Sequence, residues 1–149
     1  MKIRAEAVCR AACLFGAVST AAFTAVHAQG PQTYMYILMV NMVGPAANSL
    51  ARVADKQEMS DQDWTRVKEM VATLNDSTVA VATGGNSSAE EERARSPEWK
   101  AWSARFTATV SYSAEAAERK DRTALLAAND ALVAACEGCH TAFPAAAPR

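Results

Sequence analysis

Five consecutive residues near the C-terminus carry the chemistry of this chain: Cys136-Glu137-Gly138-Cys139-His140. Two thiols three residues apart lie on one side of a helical turn, where each can add to one vinyl group of a haem. The histidine that follows is then held beneath the iron as an axial ligand. The spacing therefore predicts covalent attachment of haem c through Cys136 and Cys139, with His140 as the proximal iron ligand.

Other sites built from these residue types fit the sequence less well. A zinc site would find only three ligands in Cys136, Cys139 and His140, and residues 29–149 contain no second Cys/His pair to complete a tetrahedron. A redox-active dithiol is typical of a βαβ context, whereas the segment before Cys136 is alanine-rich and helical in its periodicity. A structural disulfide would have no use for His140.

Residues 1–28 have the pattern of a secretory signal peptide. A basic start precedes a weakly apolar run over 13–26, and Ala28 supplies a small residue suited to cleavage before Gln29. The run is too short and too rich in alanine and threonine for a membrane span, so a retained anchor helix is the less favoured alternative. We therefore expect export to the periplasm without stable membrane insertion, and residues 29–149 as a single haem domain.

Cleavage at this point would leave few groups able to bind iron. Cys9, Cys13 and His27 would be removed with the signal, so His140 becomes the one histidine of the mature chain. Ligation by two histidines is then excluded within one chain. The sixth iron position must be filled by methionine, by another weak ligand such as lysine, or be vacant.

Charge and residue types disfavour two classes of function. Loss of three basic residues and one acidic residue with the signal changes the formal net charge from −1 to −3. This mild acidity disfavours nucleic acid or an anionic membrane surface as a partner. Catalysis is disfavoured because the one histidine is committed to iron, and no Ser/His/Asp or paired-carboxylate arrangement can be argued. We expect a carrier or binding protein rather than an enzyme.

The mature chain has helical periodicity throughout, which predicts an all-α domain. Four helices of similar length with short connections favour an antiparallel four-helix bundle, with the haem attached near the C-terminus. Ser60 or Asp61 and Asp121 can cap helix starts, and Ser96-Pro97 places proline at a first helical position. The expected helices run over about 33–55, from 60 to the glycines at 84–85, over about 96–120, and from 121 into the haem motif.

Two segments interrupt this pattern. Pro45 lies inside the first helix, so we expect a kink or break near Val43-Gly44. The acidic run Glu90-Glu91-Glu92 follows the glycine break, and we expect it to be a solvated loop or short turn. Apolar residues spaced by three and four predict the buried faces of the other helices: Trp64, Val67, Met70, Val71 and Leu74; Trp99, Trp102, Phe106 and Val110; and Leu125, Leu126, Leu132 and Val133.

Bundle geometry predicts what faces the iron. A haem near the end of the fourth helix lies at the end of the bundle where the first helix begins. The first helix carries Met35, Met39 and Met42 at offsets of four and three, which would put all three on one face. Methionines at this spacing are commonly flexible core residues, so core packing and iron ligation both stay open for each of them.

These features together resemble the cytochrome c′/c556 group of four-helix haem proteins over the whole mature chain. The resemblance rests on the C-terminal Cys-x-x-Cys-His and a methionine six residues before a helix-one proline. Tryptophans at the starts of two helices and a Lys-Asp joint before the last helix add to it. The matching residues are Met39 and Pro45, Trp64 and Trp99, and Lys120-Asp121.

The resemblance implies two alternative functions that differ at one position. In members of the c556 type, a methionine at the place of Met39 is the distal ligand, and the haem carries one electron to a redox partner protein. In c′-type members this place is apolar, and five-coordinate iron binds nitric oxide or carbon monoxide. Homodimers are common in the group, whereas Pro144 departs from it by standing where members often carry a basic residue. Candidates for the haem propionates, by position, are Arg52, Lys100 and Arg105.

Overall fold

The computed structural model describes residues 33–144, and these are all in helices or in the short connections between them. The predicted all-α class is confirmed for this part of the chain. No helix within it is both long and apolar enough to cross a membrane. Residues 1–28, which carry the predicted signal peptide, lie outside the described residues. The elements are α1 (Tyr34–Leu38), a π-helical turn (Met39–Val43), α2 (Gly44–Ala54), α3 (Asp61–Thr83), α4 (Ser88–Arg95), α5 (Pro97–Arg119) and α6 (Arg122–Ala142).

The long helices begin and end where local signals predict. Ser60 and Asp63 form a reciprocal capping box at the start of α3. The side chains of Ser96 and Asp121 accept backbone amides at the starts of α5 and α6. Gly84, with φ 85°, ends α3 in the left-handed conformation that glycine adopts without strain. Each of these four boundaries therefore has a local cause within its own turn.

The core lies where α2, α3, α5 and α6 face one another. Most residues of the predicted apolar stripes are buried, and Met70, Trp102 and Leu126 are half-buried at its edge. The prediction for Val133 is wrong, because this side chain is 43% exposed while its neighbour Leu132 is buried. Successive residues on a helix point about 100° apart, so only one of the pair can face the core.

The first helix continues past Pro45 without a break. Its α-helical halves are joined by the π turn, in which the Gly44 amide donates to the Met39 carbonyl five residues earlier. Buried positions follow the same change, because Leu38 and Val43 are both inward although they are five residues apart. An α-helix would space two such positions by three or four. The predicted break does not occur, and the interruption near Val43-Gly44 takes the form of a local change of helix type.

This turn also overturns the prediction that three methionines share one face. Met35 is 8% exposed and Met39 is half-buried against the core, whereas Met42 is 38% exposed. The offsets of four and three place residues together only in a continuous α-helix. The π turn inserts extra backbone between Met39 and Val43, so Val43 takes the inward position that Met42 would otherwise hold.

The acidic run forms a helix, α4, and not a solvated loop. Ser87 and Glu90 make a capping box like that of α3. Glu90 is buried, with 3% of its surface exposed, while Glu91 and Glu92 remain in solvent. The Ser-x-x-Glu spacing within 87–90 indicates the start of this helix, whereas three consecutive acidic residues by themselves favour a solvated loop.

Glu90 fastens the start of the first helix to the connection between α3 and α4. Its Oε1 accepts the Met35 amide at 3.1 Å, and its Oε2 accepts the amides of Asn86 and Ser87 and the Ser87 hydroxyl. Gly85 makes room, since a Cβ there would lie 2.6 Å from the carboxylate. Burial raises the pKa of this carboxyl, but hydrogen bonds from Ser87, Thr33 and nearby backbone amides outweigh it and lower the pKa.

Charged contacts fasten the opposite end of the molecule. Lys56 binds Asp63 at 2.6 Å, and the Arg122 Nε donates to the Lys56 carbonyl at 2.6 Å. Lys120 binds Asp61 at 2.6 Å, which places the end of α5 beside the start of α3. Hydrogen bonds from Lys56 and Ser60 hold the pKa of Asp63 well below its usual range. The hydrogen bond from Lys120 likewise lowers the pKa of Asp61.

Replacement of Glu90 by glutamine tests its role as a fastening. A neutral amide cannot accept four donors as a carboxylate does, so we expect E90Q to lower the free energy of unfolding at pH 7 by about 1–2 kcal/mol. Because the folded pKa lies below the ordinary 4.5, the carboxylate stabilises fully above about pH 5 and progressively less as pH falls through the folded pKa. Denaturant titrations at pH 7 and pH 3.5 should therefore show a smaller acid loss in E90Q than in the wild type.

E91Q is the matched control for this experiment. Glu91 is exposed and reaches only Arg95, at 3.8 Å and one helical turn away. Exposed pairs of this kind contribute little, so we expect E91Q to follow the wild type at both pH values. Equal losses in E90Q and E91Q would contradict the assigned role of Glu90.

Candidate functional site

The end of α6, which carries the cysteine motif, is anchored by aromatic contacts. The Phe143 ring meets Trp99 edge to face, with centroids 5.0 Å apart, and the Phe143 amide donates to the Cys139 carbonyl at 2.8 Å. The Trp99 indole in turn donates to the Val81 carbonyl at 2.9 Å. These contacts hold the last turn of α6 against the start of α5 and the end of α3.

The start of the first helix lies at this same end of the molecule. Val81 is close to the end of α3, the connection beyond it leads to Glu90, and Glu90 binds the Met35 amide. Met39 follows Met35 by one turn and packs against the core to which Cys136 and Phe143 also belong. The start of the first helix is thus linked to the end of the molecule that carries the motif through Glu90, Val81 and Trp99.

Cys136 and Cys139 lie one turn apart on α6 as half-buried free thiols. Cys136 packs against the core, and His140, the next residue after the pair, is exposed. Burial raises the pKa of both thiols, and for Cys136 the nearby Cys139 and Glu137 raise it further. A redox-active dithiol needs the opposite shift, because the thiolate is its nucleophile. The raised pKa values therefore disfavour a redox-active dithiol at this site.

The arrangement does not fit a metal ion held by side chains alone. Among residues 33–144, no group of three or more histidine, cysteine, aspartate or glutamate side chains converges as metal ligands do. Structural zinc needs four such ligands in a tetrahedron. A haem needs less from the chain, since two thiols fix its edge and one imidazole reaches its iron. Cys136, Cys139 and His140 meet that smaller requirement.

Gly138 gives the motif turn its contact with α5. A Cβ at this position would overlap the Trp102 ring, so the indole lies directly against the backbone between the two cysteines. The Arg105 guanidinium covers the same ring at 4.7 Å from its centroid. Sequence reasoning treated Trp102 only as part of an apolar stripe. Nothing in the spacing of residues pairs it with Gly138, because the contact joins two helices.

The candidates for the haem propionates are held differently from one another. The Arg105 guanidinium covers the Trp102 ring, and that ring lies against Gly138 in the motif. The Arg52 guanidinium donates to the Ser49 hydroxyl at 2.9 Å on the exposed side of α2. Lys100 is exposed on α5. Of the three, Arg105 is the one that the described contacts bring to the cysteine turn.

Comparison with protein-family models, curated proteins and solved structures found no match to this chain. The chemistry of the site therefore has to be argued from its residues. Two protected thiols, an exposed imidazole beside them and a thioether at the same end form a set suited to a covalently held haem.

Substitution of Gly138 tests how closely the motif turn is packed. Alanine normally favours a helix interior over glycine by about 1 kcal/mol. Here we expect G138A to lower the free energy of unfolding by about 1–3 kcal/mol, the usual cost of overpacking, because its Cβ would overlap Trp102. Guanidinium unfolding measures this change in the free energy of unfolding. In a W102A background, we expect G138A to raise the free energy of unfolding instead of lowering it. A loss that persists in W102A/G138A would show that Trp102 is not what excludes the side chain.

Proposed function

We propose that this chain is a periplasmic c-type cytochrome that carries one electron on a single covalent haem c. In this proposal α1 with α2, α3, α5 and α6 form the antiparallel four-helix bundle, and α4 is a short addition between α3 and α5. Cys136 and Cys139 attach the haem, His140 is the proximal iron ligand and Met39 the distal one. The chain would belong with the c556-type members of the cytochrome c′/c556 group.

The observation that carries the proposal is the state and place of the thiol pair. Cys136 and Cys139 are free, half-buried and one turn apart, immediately before an exposed histidine. They lie at the end of the molecule where the first helix begins, with Met39 one turn along it. A thioether pair, an imidazole and a methionine sulfur are what a six-coordinate haem c requires of its protein.

Each of these side chains has a defined task in electron transfer. The bound haem supplies the one-electron chemistry, while methionine paired with histidine raises its reduction potential. The two thioethers would fix the haem edge to α6, and Phe143 would keep that turn in place through Trp99. Two protein ligands limit the change in geometry between oxidation states. Exchange with a redox partner would take place through a small and weak interface.

Attachment of the haem is tested by the cysteines. We expect the wild type, produced with a haem-attachment system, to retain its haem in acidified acetone and under denaturing electrophoresis. C136A and C139A should each lose one thioether, which changes the pyridine haemochrome spectrum, and C136A/C139A should release the haem. T141A, next to the motif but exposed, is the control. Extraction of haem from the wild type would contradict covalent attachment.

The distal ligand is tested by the absorption spectrum with and without carbon monoxide. We expect the wild type to be low-spin in both oxidation states, with a ferric sulfur-to-iron charge-transfer band, and to bind carbon monoxide poorly. M39A should lose that band and bind carbon monoxide at once, because its sixth position is open. M42A should behave as the wild type, since Met42 is exposed.

The alternative function gives a different result in the same experiment. A five-coordinate haem that binds nitric oxide or carbon monoxide would be high-spin in the wild type and shift at once on addition of the gas. M39A would then leave the spectrum unchanged, because Met39 would be only a packing residue. Either result of this kind would replace electron transfer by gas binding.

A further inference from the structure

We infer that Gly44 and Pro45 are positioning residues: through the π turn they present Met39 to the haem and keep Met42 away from it. The inference rests on the proposed function, since it assigns a cause to the choice of distal ligand. It adds that the choice depends on the backbone hydrogen bond from Gly44 to Met39, and not on the Met39 side chain alone.

Pro45 lacks the backbone donor that a continuous α-helix needs at this position. In an α-helix residue 45 would donate its amide to the carbonyl of Asn41, four residues earlier, and proline has no amide hydrogen. The break in the α-helical pattern is taken up by the preceding turn, where the Gly44 amide donates to Met39, five residues earlier. Pro45 is then the second residue of α2, directly after the π turn.

Position 44 is a glycine and has no side chain. A Cβ there would lie 2.8 Å from the Met39 carbonyl oxygen, closer than such atoms approach in proteins. The oxygen belongs to the backbone, so it cannot move aside as the end of a flexible side chain would. Gly44 therefore permits the close approach that the π turn requires, and any larger residue would oppose it.

The π turn changes which residues of the first helix face inward. Met35, Leu38 and Val43 are buried, while Met42 is 38% exposed and Val40 is 51% exposed. In a continuous α-helix the offsets of four and three would place Met35, Met39 and Met42 on one face. The π turn removes Met42 from that face and puts Val43 in its place. Of the three methionines on this helix, Met39 is then the one at the edge of the core one turn in from the anchored start.

This register has a consequence for the iron. Two methionines three residues apart on one face would compete for a single coordination position, and the protein would contain two forms of the haem. With Met42 turned outward, Met39 has no competitor three residues further along the helix, because Val43 takes the inward place. Gly44-Pro45 thus serves specificity of ligation as well as the shape of the helix.

The test restores the α-helix and asks whether Met42 becomes a ligand. G44A/P45A replaces the two residues with strong helix formers and returns a backbone donor at position 45. In the haem-loaded protein, M39A should bind carbon monoxide readily. Adding G44A/P45A to M39A should weaken that binding about tenfold or more, because Met42 now occupies the iron for most of the time. Replacing Met42 as well should restore it.

A second measurement identifies the ligand without relying on gas binding. In the reduced protein with ¹³C-labelled methionine methyl groups, the ligand methyl resonance is displaced by the haem ring current. We expect one such resonance in the wild type, lost in M39A, and a second one in G44A/P45A that disappears with M42A. P45A alone is the milder variant, and we expect it to show the same second resonance at lower intensity.

The outcomes separate the inference from the function on which it rests. If M39A opens the iron but M39A with G44A/P45A binds carbon monoxide equally well, and no second methyl resonance appears in P45A or G44A/P45A, the π turn does not select the ligand. The proposed cytochrome function would survive that result. If M39A leaves the iron closed or the wild type is already open, Met39 is not the ligand, and the inference falls with that part of the proposal.

Discussion

The first helix is built around a hydrogen bond that Pro45 cannot make. A proline in the middle of a helix removes a donor and commonly bends or ends it. Here the helix continues because the preceding turn widens, and Gly44 leaves room for that turn, since a Cβ at position 44 would lie 2.8 Å from the Met39 carbonyl oxygen. This local compromise changes which side chains face inward. Leu38 and Val43 become core residues, Met42 becomes a surface residue, and Met39 remains at the core edge. The packing of the first helix against α3 and α6 follows from that register.

Different interactions hold the two ends of the molecule. At one end, exposed lysine and arginine side chains bind Asp61 and Asp63 and the backbone of the 55–60 connection, contacts that salt screens. At the other, a buried carboxylate, an indole hydrogen bond and an edge-to-face aromatic pair hold the helix ends together. Burial makes the second set stronger and more specific in geometry. The thiol pair lies at this second end, which suits a site that must hold its ligands in fixed positions.

The cysteine turn of α6 is packed on both sides. Cys136 faces the core, and Gly138 lies against Trp102, whose ring is covered by Arg105. Such packing fixes the helix that would carry a haem before the haem is present. It also keeps the thiols protonated, since burial disfavours the thiolate. A half-buried, uncharged thiol pair beside an exposed imidazole is consistent with covalent attachment of a cofactor and unsuited to thiol–disulfide exchange.

The sequence by itself determined the three long helices α3, α5 and α6 and the candidate motif, because both depend on residues close together in the chain. Caps at Ser60, Ser96 and Asp121 need only their own turn, and the Cys-x-x-Cys-His spacing needs one turn of helix. Tertiary structure decided the burial of Glu90, the contact of Trp102 with Gly138 and the outward place of Met42. Each of these depends on where a second helix lies, or on how a helix resolves a missing hydrogen bond while keeping its apolar residues inward. Residue spacing predicts side-chain positions only for a regular helix. Departures from the regular helix depend on how the helices pack against one another, which the spacing does not contain.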